Sequence, residues 1–120
     1  MGKIPTEIDI KNKRIDLGMS IEEAAEWIGC NKKTLIKLEQ GKDVNSGLVR
    51  DICHNFWGEG KEFTIPDPDE IKETRWVKRI QITELSKLSG VNRKQIERYE
   101  EGNQIMFSRL RKIIKILEEK

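Results

Sequence analysis

Apolar and polar positions follow the same order twice along this chain. Residues 10–56 and 71–117 align without a gap at a constant offset of 61, and in both stretches the apolar positions recur every three or four residues, as in amphipathic helices. Because an internal repeat fixes the unit of structure, the pattern predicts a mainly α protein of two tandem helical domains. The identical pairs include Ile10 and Ile71, Arg14 and Arg75, Ile21 and Ile82, Glu23 and Glu84, Gly29 and Gly90, Asn31 and Asn92, Lys33 and Lys94, Glu39 and Glu100, Gly41 and Gly102, Arg50 and Arg111, and Ile52 and Ile113.

Turn and cap residues divide the first copy into four predicted helices, at about 10–17, 21–28, 32–39 and 46–56. Ser20 and Glu23 have the spacing of a capping box at the start of the second helix. Gly29 ends that helix, because a tight turn between helices needs a residue that tolerates positive φ. Asn31 is the expected cap of the third helix. A helix, a glycine-centred turn and a second helix with a polar outer face predict a helix-turn-helix.

The second copy repeats this plan, with helices predicted at about 71–80, 83–89, 92–100 and 107 to the end. Gln81 stands where the first copy has Ser20, so Thr83 is predicted as the N-cap, which would shorten that helix by about two residues. Leu85 and Leu88 are among the side chains predicted to face inward. Tyr99 is predicted to pack in the core, and the three tryptophans are predicted to pack in the core or between the domains: Trp27, Trp57 and Trp76.

Glycine and proline residues between the copies predict a linker at 58–68, which separates a first domain at 1–57 from a second at 69–120. Phe63 and Ile65 alternate with polar residues, and residues 76–82 do so more loosely. A short central antiparallel β pairing is therefore one interpretation of this region. The competing interpretation is that residues 71–80 form the first helix of the second copy.

Composition excludes several classes of protein. Charged residues make up 37% of the chain but the net charge is only +2, with nine Lys and Arg against ten Asp and Glu in residues 1–60. Cys30 and Cys53 have no metal-ligand spacing to the single His54, and we expect neither a disulfide framework nor a metal or cofactor. No apolar run approaches the roughly 18 residues of a membrane span, and residues 1–5 lack a signal-peptide core. We therefore expect a soluble, cytoplasmic protein.

Motifs in both copies resemble the Cro/cI-type (XRE) helix-turn-helix family of phage and plasmid repressors. In the first copy the resemblance lies in Ile10-Lys11-x-x-Arg14, Gly18-Met19-Ser20, Glu23-Ala24-Ala25, Ile28-Gly29, Thr34-Leu35 and Leu38-Glu39-Gln40-Gly41-Lys42. In the second it lies in Ile71-Lys72-x-x-Arg75, Leu85-Ser86, Gly90-Val91-Asn92, Ile96 and Tyr99-Glu100-Glu101-Gly102.

Other families are similar over shorter stretches. Residues 82–91 with 98–100 resemble the start of a MerR-type winged domain, and residues 20–25 resemble an excisionase. Both families need a β-hairpin wing after the recognition helix, whereas this sequence has helical patterns at 48–56 and 110–117. In size and architecture the chain also resembles TraN-like regulators of conjugative plasmids.

The XRE resemblance implies a structural role for two charged pairs. In this family an arginine of the first helix commonly meets a glutamate at the end of the recognition helix in a largely buried ion pair. By their positions these are Arg14 with Glu39 and Arg75 with Glu100. The resemblance therefore implies that these four residues stabilise the fold and do not contact DNA.

The helices that begin after Asn31 and Asn92 are expected to lie in the major groove of double-stranded DNA, with their first residues at base edges. Lys and Arg can donate to guanine, and Asn and Gln can pair with adenine. Phosphates are expected at the helix N-termini near Ser20 and Thr83, because N–H groups are free there. The candidate DNA-binding residues are Ser20, Asn31, Lys32, Lys33, Thr34, Lys37, Lys42, Thr83, Asn92, Arg93, Lys94, Gln95 and Arg98.

These features predict a transcriptional regulator, acting as a repressor, of a phage, plasmid or other mobile element. A chain with two heads is expected to act as a monomeric pseudo-dimer on two dissimilar half-sites, or as a weak homodimer. The alternatives are a DNA-processing or transfer accessory protein of the excisionase type and a protein-interaction module such as an antitoxin. We expect no enzyme, because the sequence offers no nucleophile and base, no phosphate-binding glycine loop and no metal site.

Overall fold

Eight helices form the structure, a computed structural model that describes residues 3–58 and 62–120. The predicted mainly α fold is confirmed, and the described part of the chain contains no β-strand. Lys3 and Phe63 form an isolated parallel bridge. The helices are α1 (Glu7–Asp16), α2 (Ile21–Ile28), α3 (Lys32–Glu39), α4 (Ser46–Trp57), α5 (Pro68–Val77), α6 (Ile82–Ser89), α7 (Arg93–Glu100) and α8 (Phe107–Glu119).

The chain divides into two compact units at the bond between Ile65 and Pro66. We call them the amino-terminal unit, with α1–α4, and the carboxyl-terminal unit, with α5–α8. The offset of the sequence repeat holds helix by helix, since α1, α2 and α3 correspond residue for residue to α5, α6 and α7. In each unit the first and second helices both pack against the third and fourth. The division falls inside the predicted linker, of which residues 59–61 lie outside the described residues.

Local capping explains where most helices begin. Thr6 and Asp9 form a capping box that starts α1 at Glu7, three residues before the predicted start. Asp67 caps α5, and Pro68 occupies its first turn. A proline is tolerated there because the backbone N–H that it lacks would have no partner within the helix. This start sets residues 68–77 in a helix, so the central antiparallel β pairing was wrong.

The predicted start of α6 was also wrong. Thr83 is not the N-cap, because α6 begins at Ile82 and Gln81 occupies the N-cap position with an extended backbone. The side chain of Gln81 makes no capping hydrogen bond to the described residues of the helix. Leu85 is fully buried at the position equivalent to Ala24 in the repeat. The helix therefore keeps the register of the repeat without a side-chain cap.

The apolar faces of the helices form the core of each unit. Tyr99 is 2% exposed as predicted, and its hydroxyl donates to the Pro66 carbonyl at 2.8 Å. Leu88, predicted to face inward, is 42% exposed instead. Fully buried positions include Ile10, Leu35, Val49 and Ile52 in the amino-terminal unit and Ile71, Leu85, Leu110, Ile113 and Leu117 in the carboxyl-terminal unit.

Aromatic side chains pack against one another in the amino-terminal unit. Trp57 packs on Phe63 with ring centroids 4.5 Å apart, and Trp27 stacks on Phe56 at 5.8 Å. Phe63 and Ile65 are each 5% exposed, so this part of the predicted linker belongs to the folded structure. Trp76, predicted to pack in the core or between domains, is instead 58% exposed, and Lys72 Nζ lies 4.9 Å from the centroid of its ring.

The turn after the first helix differs between the units in one testable respect. Gly18 has a φ of 70°, and its counterpart Arg79 has a φ of 57°, although left-handed backbone disfavours a residue with a Cβ. A Cβ at Gly18 would meet no described atom within 4 Å, so backbone strain alone decides its substitution.

We expect Gly18→Ala to lower the free energy of unfolding by about 1 kcal/mol through that strain. Arg79→Gly should raise the free energy of unfolding by up to about 1 kcal/mol. The gain is reduced because glycine has more conformational entropy in the unfolded chain. Urea denaturation of the two variants and the parent measures both changes. Equal destabilisation by both substitutions would contradict this account.

Candidate nucleic-acid interface

Each unit contains a helix, a glycine turn and a third helix in the helix-turn-helix arrangement. Gly29 and Gly90 end α2 and α6 in left-handed conformations, with φ of 85° and 75°. Residues with a Cβ rarely adopt this backbone, which explains glycine at both turns. We call α3 and α7 the recognition helices. The carboxyl-terminal turn is tied further, because the Ser86 hydroxyl donates to the Val91 carbonyl at 2.7 Å.

Asn31 and Asn92 are the N-caps of the recognition helices. The Oδ1 atom of each accepts a hydrogen bond of 2.8 Å from the backbone amide two residues on, at Lys33 and Lys94. These side-chain oxygens are therefore committed to the fold. A bidentate pair with adenine requires that oxygen as acceptor, so the structure gives the two asparagines a capping role.

A largely buried guanidinium connects the first helix, the turn before the second helix and the end of the third helix in each unit. Arg14 Nε and Nη2 donate to both carboxylate oxygens of Glu39 at 2.7 and 2.9 Å, and its Nη1 donates to the Met19 carbonyl. This bidentate bond raises the pKa of Arg14. We call this arrangement the arginine clamp, because it ties the first helix to the start of the second and to the end of the third.

The carboxyl-terminal unit contains the same clamp. Arg75 donates two bonds of 2.9 Å to Glu100 and one to the Ile80 carbonyl. The side chains of Arg75 and Glu100 are only 9% and 6% exposed. Both ion pairs that the family resemblance implies are thus present, and neither arginine is free to meet a phosphate.

Two exposed cations stand one helical turn apart on each recognition helix. In α3 they are Lys33 and Lys37, and in α7 they are Lys94 and Arg98, at equivalent positions of the repeat. All four side chains are exposed. Residues four apart in a helix are neighbours on its surface, so the charges of each pair repel one another. We call these four residues the cation pairs.

The remaining candidates on the recognition helices differ between the units. Thr34 and Gln95, at equivalent positions, are half-buried. Lys32 and Arg93 begin the two helices, and each is bonded to a glutamate: Lys32 to Glu22 and Arg93 to Glu97. Lys42 is exposed beyond the end of α3, where its backbone amide donates to the Lys37 carbonyl.

The two predicted phosphate positions at helix N-termini are unlike each other. At α2 a full capping box occupies the first turn: Ser20 Oγ accepts from the Glu23 amide, and the Glu23 carboxylate accepts from the Ser20 amide. A phosphate there would meet the carboxylate of Glu23. Ser20 is therefore assigned to the cap of α2.

At α6 a cavity of about 260 Å³ opens beside the first turn. Because the Gln81 side chain makes no capping bond to the described part of α6, the first backbone N–H groups of this helix have no side-chain cap. Both arginines at the wall of the cavity are already paired, Arg75 with Glu100 and Arg93 with Glu97, and Thr83 supplies a hydroxyl. The lining residues are Arg75, Gln81, Ile82, Thr83 and Arg93. The sequence signal for this cavity was Gln81 in place of Ser20.

Other chemistry is sparse among the described residues. Burial raises the pKa of the Cys53 thiol to about 12, which leaves it protonated at neutral pH. Within residues 3–58 and 62–120, no three His, Cys, Asp or Glu side chains are grouped so as to hold a metal ion. Of the helices described, none is both long and apolar enough to span a bilayer.

Comparison of the chain with protein-family models, with curated proteins and with solved structures finds no match.

Proposed function

We propose that the protein binds double-stranded DNA through α3 and α7. The observation that carries this proposal is the repetition of the cation pairs in both units. Like charges four residues apart destabilise a helix by about 0.2–0.5 kcal/mol. A polyanion removes that repulsion, because each cation can then meet a phosphate or an acceptor on a base edge. A helix-turn-helix is a fold that presents such a helix to the major groove.

The chemistry of the two recognition helices supports sequence reading by both. Lysine and arginine suit guanine O6 and N7, and the amide of Gln95 suits adenine. The residues at equivalent positions differ, with Lys37 against Arg98 and Thr34 against Gln95. We therefore propose that the two units read dissimilar half-sites.

The wider biology rests on the resemblance to Cro/cI-type repressors. On that basis we propose a cytoplasmic transcriptional regulator, acting as a repressor, of a phage, plasmid or other mobile element. Two reading heads on one chain favour a monomer that works as a pseudo-dimer over a weak homodimer. An accessory role in DNA processing or transfer makes the same demands on the recognition helices. An enzymatic role is not part of the proposal.

A second candidate is a protein-interaction module, such as an antitoxin, built on the same fold. It is favoured by apolar side chains that remain in solvent. Val77 is 81% exposed and Trp76 58% exposed at the end of α5, and Trp27 is 45% exposed. Exposed apolar groups of this size occur at protein interfaces.

Footprinting on the DNA that flanks the gene tests the proposal. We expect protection of two blocks with different sequences, because the recognition helices carry different side chains. A salt titration of the same complex should weaken binding by about 0.9 log units per log unit of salt for each phosphate contacted. Protection of a perfectly symmetric site, or of one block alone, would overturn the pseudo-dimer. The absence of any salt-dependent binding would favour the protein-interaction module.

A further inference from the structure

The first cation of each recognition helix is held by a carboxylate. Lys32 Nζ donates to Glu22 Oε1 on α2, and Arg93 Nε donates to Glu97 Oε1 at 2.9 Å within α7. The side chains of Lys32 and Arg93 are 50% and 61% exposed. Both cations are thus accessible to a ligand, but each already has an anionic partner.

The two units reach this arrangement with residues that are not equivalent in the repeat. The counterpart of Glu22 is Thr83, and the counterpart of Glu97 is Ile36. Lys32 and Arg93, in contrast, occupy the same position. The paired cation is therefore common to both units, although the carboxylate comes from a neighbouring helix in one and from the recognition helix itself in the other.

A DNA phosphate would have to displace these carboxylates. The hydrogen bond from Lys32 lowers the pKa of Glu22, so this carboxylate is ionised at neutral pH and competes for the cation. Among the described residues, Glu22 and Glu97 form no salt bridge with any residue of the cation pairs. The charges of Lys32 and Arg93 are thus partly neutralised by a carboxylate, while those of the cation pairs are not neutralised by Glu22 or Glu97.

We propose that Glu22 and Glu97 compete with the DNA backbone for Lys32 and Arg93, and so lower the affinity of both units for DNA of any sequence. This inference rests on the proposed function. It gives the two glutamates a role that is independent of the fold, since both pairs are exposed. Weaker binding to random DNA leaves the cation pairs and Gln95 a larger share in choosing the site.

The test measures binding of a random-sequence DNA duplex by fluorescence anisotropy at several salt concentrations. Glu22→Gln and Glu97→Gln should each tighten binding by about two- to fivefold, the range that exposed ion pairs span. Each should also steepen the salt dependence by up to about 0.9 log units, because a freed cation can contact one more phosphate.

Matched controls separate the pairing from the removal of one negative charge. Glu26 and Glu101 are exposed and lie four residues beyond Glu22 and Glu97. Glu26→Gln and Glu101→Gln make the same change in net charge and should tighten binding much less. On a Lys32→Met background, Glu22→Gln should give no further gain, and the same holds for Glu97→Gln on an Arg93→Met background.

The outcomes distinguish this inference from the proposed function. If the parent protein binds the duplex and the Glu22 and Glu97 variants bind no tighter, or the controls gain as much, the competition is refuted and DNA binding stands. A gain that persists without Lys32 or Arg93 refutes it equally. If neither the parent nor any variant binds DNA, both proposals fall.

Discussion

Glu100→Gln is expected to destabilise the carboxyl-terminal unit by about 3–5 kcal/mol. The substitution keeps the shape of the side chain but leaves the Arg75 guanidinium charged and buried without a counter-ion, and an uncompensated buried charge carries that cost. Chemical denaturation followed by circular dichroism measures the loss of stability. Hydrogen exchange assigns it, because protection should fall in α5–α8 first.

Two further variants show whether burial is the cause. Glu101→Gln removes a charge from the next residue, which is exposed, and should change stability by less than about 0.5 kcal/mol. The double variant Arg75→Met with Glu100→Leu should recover much of the stability, since replacing both partners of a buried pair with apolar groups is often neutral. A Glu100→Gln protein as stable as the parent would show that the clamp contributes little.

Lys94→Gln with Arg98→Gln is expected to weaken DNA binding by roughly 30-fold or more, because each side chain that meets a base edge contributes about 1–3 kcal/mol. The slope of log affinity against log salt should fall by up to about 1.8 if both side chains meet phosphates. Stability should hold or rise by about 0.2–0.5 kcal/mol, because the two cations repel each other in the free protein. Affinity by anisotropy and stability by denaturation are measured on the same samples.

The matched control for this pair lies on α8. Lys112→Gln with Lys115→Gln removes two exposed positive charges from the same unit, outside the recognition helix. If it weakens binding as much as the α7 variant does, the effect is one of net charge and α7 is not the reading element. In footprints, the α7 variant should lose one protected block before the other.

The sequence predicted the helices well because its repeat supplied two independent copies of each signal. Ser20, Asn31 and the turn glycines mark helix ends through their own side chains or backbone, so their effects are local. The start of α6 was mispredicted because the helix keeps the register of the repeat and begins at Ile82, although Gln81 makes no side-chain capping bond to the described residues.

In the candidate site, residue positions were predicted from the sequence, whereas several side-chain contacts were not. Residue type and helical position were enough to place the cation pairs on the exposed faces of α3 and α7. They were not enough to show that the side-chain oxygens of Asn31 and Asn92 are occupied by capping. Nor could they show that Lys32 meets Glu22, since that pair joins two helices across a turn and depends on the direction in which each side chain leaves its backbone.

The gap-free correspondence between the units has a consequence for protein engineering. Because α3 and α7 have the same length and the same flanking turns, outward residues can be exchanged between them without changing any loop. Leu38 and Tyr99 must stay where they are, since the Tyr99 hydroxyl is anchored to Pro66. If the two units read different half-sites as proposed, a chain with its surface residues so exchanged should keep its scaffold and prefer the two half-sites in the opposite order.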